Sequence, residues 1–270
     1  MAAIELRHAG DLAYREAVPA GEPTAPAVVC LHGFPESSLM WEPLMERLAG
    51  AGRRCIAPDL YNLGDSTETR PATFENSLQA FTDLMDELSL GDVAVVVHDW
   101  GGFVGLAWAC DHPGEVEALV ISDTGFFSDG RWHGMADAIR GPEGETIVAG
   151  LEREGFGALL NGDGSAFSEE TLDAYWKPFA EGRGRRATLD FYRSLNFSDL
   201  APWDGKIAAL GVPALILWGA DDPFAIMAAA KRFDRELPDS KLVAIEGTGH
   251  FVWDEEPERC ADEVLRFLGA

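Results

Sequence analysis

Short apolar runs alternate along most of the chain with longer segments whose apolar residues recur at helical spacing. Residues 28–31 and 93–98 are rich in valine and predict buried strands, whereas residues 75–88 predict an amphipathic helix. The opening segments 4–7 and 12–18 predict a pair of short antiparallel strands. Strands that alternate with helices in this way are typical of an α/β protein with a doubly wound, mostly parallel sheet.

A long segment without strands interrupts this alternation. Between residues 126 and 203 the pattern shows no convincing strand, and helices are predicted at 169–179 and 186–194. The change predicts a helical cap, residues 126–203, inserted into a core formed by residues 1–125 and 204–270. The remaining core elements are predicted as strands at 55–60, 118–123, 214–219 and 242–246 and as helices at 40–49, 103–110, 226–237 and 257–268.

The strand predicted at 93–98 runs directly into His98-Asp99-Trp100-Gly101-Gly102. A buried strand that turns at once into a helix is the geometry of a nucleophile elbow, and Asp99 stands where serine is usual. A carboxylate in that position attacks an sp³ carbon and forms an ester with the substrate. The alternative for an isolated Asp-x-Gly-Gly is an aspartate that caps the next helix.

Polar residues also follow two later strands. Asp221 and Asp222 come after the strand at 214–219, and His250 lies in a Gly-Thr-Gly-His-Phe segment after the strand at 242–246. The order nucleophile, acid, histidine is that of a hydrolytic triad. Ligands of such sheets bind beyond the carboxyl ends of the strands, so these side chains are expected to meet there.

The composition narrows the range of functions. The 21 basic residues against 46 acidic ones give a net charge of −25, which disfavours binding to nucleic acid or to anionic membranes. The N-terminus has no apolar core of a signal peptide, and no run is long enough to span a bilayer. We expect a monomer or homodimer that acts on a small, apolar, neutral substrate.

Cysteines and motifs bear on compartment and cofactors. The four cysteines are widely spaced, so buried free thiols and a reducing cytoplasm are expected rather than a disulfide framework. No Cys/His cluster has metal-ligand spacing, and neither a dinucleotide-binding nor a phosphate-loop pattern occurs, so neither a metal nor a cofactor is expected. The cysteines are Cys30, Cys55, Cys110 and Cys260.

Four motifs resemble those of α/β-hydrolase epoxide hydrolases and haloalkane dehalogenases, in the same order and over essentially the whole chain. They are His32-Gly33-Phe34-Pro35, the elbow itself, Trp218-Gly219-Ala220-Asp221-Asp222 and Gly249-His250-Phe251. The resemblance implies an α/β-hydrolase fold with an aspartate nucleophile. Its Gly-x-x-Asp pattern selects Asp222 as the acid, with Asp221 as the minor candidate.

The two families differ in the groups that stabilise the leaving group. Epoxide hydrolases use two cap tyrosines, one in a Tyr-x-x-x-Phe segment and one in a Tyr-Arg segment, and Tyr175 and Tyr192 match these patterns. Two such hydroxyls near the nucleophile favour the epoxide hydrolase reading. The alternative is that each tyrosine packs at the seam between cap and core, with its hydroxyl bonded to water or to backbone.

Haloalkane dehalogenase is the second hypothesis. Val97, in place of the glycine usual in epoxide hydrolases, and the segment 175–179 fit dehalogenases as well. One dehalogenase branch has Asn where this chain has Phe34, and another has Trp near Asp163; neither donor is present, although Trp132 or Trp176 could substitute. Fluoroacetate dehalogenases carry Arg where this chain has Trp100, which disfavours a carboxylate-bearing substrate.

The resemblance implies hydrolysis of an epoxide to a vicinal diol through an ester on Asp99, with Tyr175 and Tyr192 as proton donors. His250, oriented by Asp222, then activates water, and the backbone N–H groups of Phe34 and Trp100 hold the oxyanion. Neither a non-catalytic binding protein nor a serine esterase fits an intact triad with aspartate at the elbow. The expected pocket residues are Phe34, Trp100, Phe126, Phe127, Trp132 and Trp176, whereas His8, His112 and His133 are interpreted as surface or packing residues.

Overall fold

One eight-stranded sheet organises the chain. The computed structural model describes residues 3–67, 70–161 and 167–270, and in that part the strand order is β1-β2-β4-β3-β5-β6-β7-β8. β1 and β2 run antiparallel to their neighbours, and the other pairs are parallel. The strands are β1 (Ile4–Ala9), β2 (Leu12–Ala17), β3 (Ala27–Leu31), β4 (Cys55–Pro58), β5 (Val93–His98), β6 (Val116–Ser122), β7 (Ala214–Gly219) and β8 (Ser240–Ile245).

The central strands are buried on both faces, which explains why they read as continuous apolar runs. Every residue of β3, β5 and β7 is buried, as parallel strands covered by helices on both sides require. In the middle of the sheet Val29 pairs with Val95, which pairs in turn with Leu119. The predicted doubly wound α/β fold, with the helices on either face, is confirmed.

The helices of the core follow the predicted order with small shifts at their ends. α2 begins after Thr73, whose side chain accepts a hydrogen bond from the Asn76 N–H, and ends at Ser89 in a left-handed conformation. A short 3-10 turn, Ser38–Trp41, precedes α1. The core helices are α1 (Glu42–Gly50), α2 (Phe74–Leu88), α3 (Trp100–Asp111), α10 (Met227–Glu236), α11 (Val252–Glu255) and α12 (Pro257–Leu268).

The chain between β6 and β7 contains helices and no strand within its described residues. Two side chains of α8 tie it to the core, where Asp190 accepts from the Ala72 N–H at 3.0 Å and Arg183 donates to Gly64 O at 2.7 Å. The bounds of the predicted cap, residues 126–203, stay a prediction. Its elements are α4 (Gly134–Arg140), α5 (Gly144–Ala149), α6 (Arg153–Asn161), α7 (Glu169–Ala180), α8 (Arg183–Ser194) and a 3-10 helix Phe197–Trp203, followed by α9 (Lys206–Ala209).

Several smaller expectations can be compared with the structure. All four cysteines are free and buried, as expected. In the described ranges no helix is long and apolar enough to cross a membrane. The position near Asp163, where one dehalogenase branch carries a tryptophan, lies outside the described residues.

Candidate active site

Asp99 sits at a strained turn between β5 and α3. Its φ of 42° and ψ of −117° are unusual for a residue with a side chain, and such strain concentrates at functional sites. The following glycines are needed for space, since a Cβ at Gly101 would lie 2.3 Å from Leu31 O and one at Gly102 would lie 2.1 Å from Thr124 Oγ1. Because both glycines are helical, α3 begins at Trp100, three residues before the predicted start.

The loop after β3 closes over the Asp99 carboxylate. The Phe34 N–H donates to Asp99 Oδ2 at 2.9 Å. A Cβ on Gly33 would lie only 2.4 Å from Asp99 Cβ, so the loop approaches this closely only without a side chain there. The other carboxylate oxygen, Oδ1, faces His250. The Trp100 N–H, in the first turn of α3, stays a prediction as the second oxyanion donor.

His250 lies between two carboxylates. Its Nδ1 is 2.7 Å from Asp222 Oδ2, and its Nε2 is 3.8 Å from Asp99 Oδ1. Asp222 Oδ1 accepts from the N–H groups of Phe224 at 2.7 Å and Ala225 at 3.0 Å, which fixes the carboxylate. Asp221 is exposed, whereas Asp222 is buried. The structure therefore brings Asp222, and not its neighbour, to the histidine.

The charges around His250 control its protonation. Burial alone would lower its pKa, but the Asp222 carboxylate and, farther away, Asp99 raise the pKa of His250 to about 9. The pKa of Asp222 is lowered, because the contacts with His250 and the Phe224 N–H outweigh burial. At neutral pH this site holds an imidazolium between two carboxylates.

Tyr192 lies beside the nucleophile. It is buried on α8 and lines a small cavity of about 20 Å³ together with Phe34, Asp99 and His250. Burial and the Asp99 charge raise the pKa of Tyr192, so the phenol keeps its proton. The cavity has room for about one water molecule, so this protonated phenol lies close to whatever group occupies the space above Asp99.

His133, for which the sequence predicts a surface or packing role, lies half-buried beside the site. Its side chain caps α4, with Nδ1 accepting from the Ala136 N–H at 3.3 Å. Burial lowers the pKa of His133, and a neutral ring whose Nδ1 accepts carries its proton on Nε2. The residue lines the same small cavity as Asp99 and Tyr192.

The sequence offers little to identify His133. It belongs to no motif of the resemblance, and its approach to Asp99 depends on how the chain folds back after β6. One local signal is present. His133 follows Trp132 a few residues into the predicted cap, soon after the chain leaves the carboxyl end of β6.

Tyr175 and Trp176 are the two predicted site residues that the structure does not bring to Asp99. The Tyr175 hydroxyl donates to Asp254 at 3.2 Å and lines a separate cavity with that residue. Trp176 stacks on Phe179 at 5.9 Å, beneath the guanidinium of Arg185. The reason is helical geometry: α7 directs these side chains toward α11 and the cap interior, away from the elbow.

A larger cavity of about 370 Å³ leads to the small one and shares Asp99, His133 and His250 with it. It opens between the loop after β6 and the start of α10. Of the predicted pocket residues, Phe126, Phe127 and Trp132 line this cavity, and Phe34 lines the small one.

Trp100, also predicted to line the pocket, lies beneath the cavity wall. Its ring stacks on Trp132 at 5.7 Å and contacts the edge of Tyr192 at 5.5 Å. The indole Nε1 is buried, and its hydrogen-bonding neighbour is the Tyr192 hydroxyl, whose pKa it lowers against the larger effect of burial. An indole N–H in this position is a second type of donor next to the site.

Asp123, which directly follows β6, is another buried acidic residue at this site. Ligand atoms of Asp123, Asp222 and His250 lie within 4.8 Å of one another, a spacing that would suit a metal. The 2.7 Å bond between His250 and Asp222, however, already uses two of those atoms. We therefore interpret the group as a hydrogen-bonded acid–base cluster.

Comparisons with known proteins agree with this architecture. The chain is 27% identical over 268 residues to a cis-3-alkyl-4-alkyloxetan-2-one decarboxylase of Xanthomonas campestris pv. campestris, covering 89% of this chain and 87% of that protein. Among solved structures it is similar to the haloalkane dehalogenase DbeA from Bradyrhizobium elkani USDA94, with a TM-score of 0.84, 26% identity and coverage of 99% and 98% of the two chains. It is also similar to the epoxide hydrolase VrEH1 from Vigna radiata, with a TM-score of 0.81, 25% identity and coverage of 98% of each chain.

The relatives named here carry three different activities, so they identify the fold and the hydrolase family rather than the substrate. The model of the alpha/beta hydrolase fold family matches residues 26–257, which is most of the chain. The protein therefore belongs to the alpha/beta hydrolase fold family, with epoxide hydrolases and haloalkane dehalogenases among its structural relatives.

Proposed function

We propose that this protein is an epoxide hydrolase that converts an epoxide and water to a vicinal diol. One observation carries the proposal: Tyr192 and His133 line the same small cavity as Asp99. An opening epoxide develops negative charge on its oxygen, and pre-positioned O–H and N–H donors stabilise that charge in the transition state. His133 takes the place that the sequence resemblance gave to Tyr175.

In the first step Asp99 opens the ring. The oxygen Oδ2 is held by the Phe34 N–H, so Oδ1 is the attacking atom. A bond forms between Oδ1 and a ring carbon, the carbon–oxygen bond of the epoxide breaks, and the released alkoxide takes a proton from Tyr192 or His133. The product is a hydroxyalkyl ester of Asp99, and the donor regains its proton after turnover.

In the second step water cleaves this ester. Before the first step, the Asp99 charge helps to keep His250 protonated. Esterification removes that charge, so the pKa of His250 falls at the moment when a base is needed. His250 releases its proton to solvent, and the neutral ring then takes a proton from water as that water attacks Asp99 Cγ; Asp222 stabilises the imidazolium that forms. The ester bond between Asp99 Cγ and the substrate oxygen then breaks, and the departing alkoxide takes the proton from the imidazolium. The Phe34 and Trp100 N–H groups hold the oxyanion until the diol leaves.

The cavity favours an apolar substrate. Phe126, Phe127 and Trp132 line its walls, which fits the expected small neutral molecule. The reaction as proposed needs no metal or cofactor.

The decisive experiment measures ester formation from an epoxide in the wild-type protein and in two variants. Tyr192→Phe should lower pre-steady-state formation of the Asp99 ester from styrene oxide by roughly 10²- to 10³-fold, as expected for the loss of one oxyanion donor. Tyr175→Phe is the matched control, since its hydroxyl bonds Asp254 outside the cavity, and should keep a rate within about tenfold of wild type. Equal losses in both variants, or no diol from the wild type, would contradict the proposal.

Haloalkane dehalogenase is the second candidate, and the Trp100 indole supports it. A departing halide needs N–H donors, and Nε1 of Trp100 is a buried donor next to the Tyr192 hydroxyl. With 1-bromobutane, a dehalogenase would release bromide at a rate that changes little in Tyr192→Phe and falls strongly in Trp100→Phe. Bromide release with this pattern, and negligible diol from epoxides, would replace the first proposal with the second.

A further inference from the structure

Asp123 is a buried carboxyl group that the proposed reaction does not use. It follows β6 with a φ of 44°, which is strained for a residue with a side chain. Its Oδ1 accepts from the Gly219 N–H at 3.0 Å. Its Oδ2 is buried and receives no N–H or O–H donor within the described ranges, and the side chain that this carboxyl group contacts is Asp222. A strained carboxyl group in contact with the acid of the triad is expected to influence that acid.

The parallel sheet places Asp123 against the triad. β6 and β7 are neighbouring strands, and their carboxyl ends carry Asp123 and, a few residues later, Asp222. Ligand atoms of these two carboxyls and of His250 lie within 4.8 Å of one another. Two carboxyl groups this close and this well buried cannot both be ionised without a large cost, so they tend to share one proton.

The neighbours decide which group holds the proton at rest. Asp222 accepts two backbone N–H bonds and faces the His250 ring, all of which favour its anion. Asp123 has one backbone donor and otherwise faces Asp222, Glu36 and the Cys260 thiol, with Asp99 across the cavity. Burial and the Asp222 charge raise the pKa of Asp123 well above its usual range.

We propose that Asp123 and Asp222 share a single proton and that either carboxylate can serve as the anionic partner of His250. In the resting protein Asp123 is neutral and acts as a positioning residue, with its carboxyl group directed at Asp222. This inference rests on the proposed function, because it concerns ester hydrolysis by His250. It extends that function by assigning the acid of the triad to a pair of residues on two strands.

The pair predicts an unequal response to substitution. Asp222→Asn removes one of the two causes that keep Asp123 protonated, the Asp222 charge, although burial remains. Because the His250 imidazolium then lacks its anionic partner, we expect Asp123 to release its proton to solvent and to become the carboxylate near His250. In Asp123→Asn the side chain stays neutral and still accepts from Gly219, so little changes. Only the double variant lacks a carboxylate in this place.

The kinetic test measures single-turnover decay of the Asp99 ester in all three variants. We expect Asp123→Asn to slow ester decay by about threefold, because only the shared proton is lost, and Asp222→Asn to slow it by about 10²-fold. The double variant should slow by about 10⁴-fold, the loss seen when a triad lacks its acid. The residual rate of Asp222→Asn should fall at low pH as Asp123 takes up its proton. If Asp222→Asn is as slow as the double variant, the proposal is overturned.

A second measurement needs no substrate, so it separates this inference from the proposed function. The infrared difference spectrum between wild type and Asp123→Asn at pH 7 should show a protonated-carboxyl carbonyl band in wild type only. An unchanged spectrum overturns the shared proton even if epoxides are hydrolysed. A clear band supports it even if the wild type forms no diol, in which case the proposed substrate class alone is wrong.

Discussion

The same residue type has different roles in this protein because its surroundings differ. Tyr175 and Tyr192 are both buried cap tyrosines, yet one hydroxyl bonds Asp254 and the other faces the cavity of Asp99. Both have raised pKa values because of burial and neighbouring carboxylates, so both keep their protons. The direction of the hydroxyl, rather than its acidity, therefore separates a packing tyrosine from a proposed proton donor.

The role proposed for His133 can be tested without disturbing its helix. Asparagine is a good helix N-cap, so His133→Asn keeps the bond to the Ala136 N–H while it removes the imidazole from the cavity. Epoxide opening should slow by roughly 10²-fold, the loss expected for one donor to a developing oxyanion. Stopped-flow measurement of ester formation checks this.

His112→Asn serves as the control for that variant. His112 lies at the end of α3, where its ring stacks on Trp108 at 4.8 Å, and it lines neither cavity of the site. Its replacement should leave ester formation close to wild type. Full activity of His133→Asn would show that His133 is not a proton donor and has only the surface or packing role that the sequence predicts.

The elbow between β5 and α3 depends on how closely the chain segments approach one another. Thr124 donates from Oγ1 to Asp99 O at 2.7 Å, and α3 passes directly over that side chain at Gly102. Asp99 is thus held at its backbone carbonyl from the β6 side by Thr124 and at its carboxylate from the β3 side by the Phe34 N–H. Removing either the bond or the space should disturb the nucleophile.

Gly102→Ala tests this dependence. The added Cβ would lie 2.1 Å from Thr124 Oγ1, so either the threonine or α3 must move. We expect unfolding free energy to fall by about 1 to 3 kcal/mol, the usual cost of overpacking, and ester formation to slow more than tenfold. Gly114→Ala is the control, because nothing lies within 4 Å of a Cβ there. Denaturant titration and stopped-flow kinetics check both effects, and equal behaviour of the two variants would argue against a strained, tightly packed elbow.

Across the chain, the sequence predicts features that depend on a local pattern, but it does not predict features that depend on how distant segments pack against one another. Valine-rich β5 and the order of Asp99, Asp222 and His250 are encoded in short stretches, so both the strand and the arrangement of strand-end residues follow from them. Tyr175 and His133 lie on helices whose orientation is set by distant partners such as Asp254. Spacing along the chain carries no information about those partners.

The same distinction applies to charge. A net charge of −25 describes the chain as a whole but gives no indication that carboxyl groups are buried beneath the site. Glu36 is buried behind the triad, with Oε2 3.2 Å from Nε2 of His98. Asp254, whose pKa is also raised by burial and by Glu36, is its acidic neighbour. This cluster forms only when the ends of β3 and β5 meet α11.

The buried groups should give the protein a stability maximum at mildly acidic pH, between about 4.3 and 6.5. Burial lowers the pKa of His98 to about 3, so stability is lost as pH falls below the unfolded value of about 6.5, where only the unfolded chain takes up the proton. Burial raises the pKa of Glu36 to about 8, so its contribution is complete below about 4.3, the unfolded value, and is lost as pH rises through 8.

Glu36→Gln tests the loss of stability on the alkaline side of that maximum. Glutamine replaces the O–H of the protonated carboxyl group with an N–H donor for His98, and it carries no charge at any pH. The variant should therefore lose less stability than wild type between pH 6 and 9. His250, with its pKa raised to about 9, still contributes a loss at the upper end of that range in both proteins. Thermal unfolding followed at pH 5, 7 and 9 checks the difference. The melting temperatures of variant and wild type should converge toward pH 5 and separate at pH 9, and a constant difference at all three values would mean that Glu36 is not protonated in the folded protein.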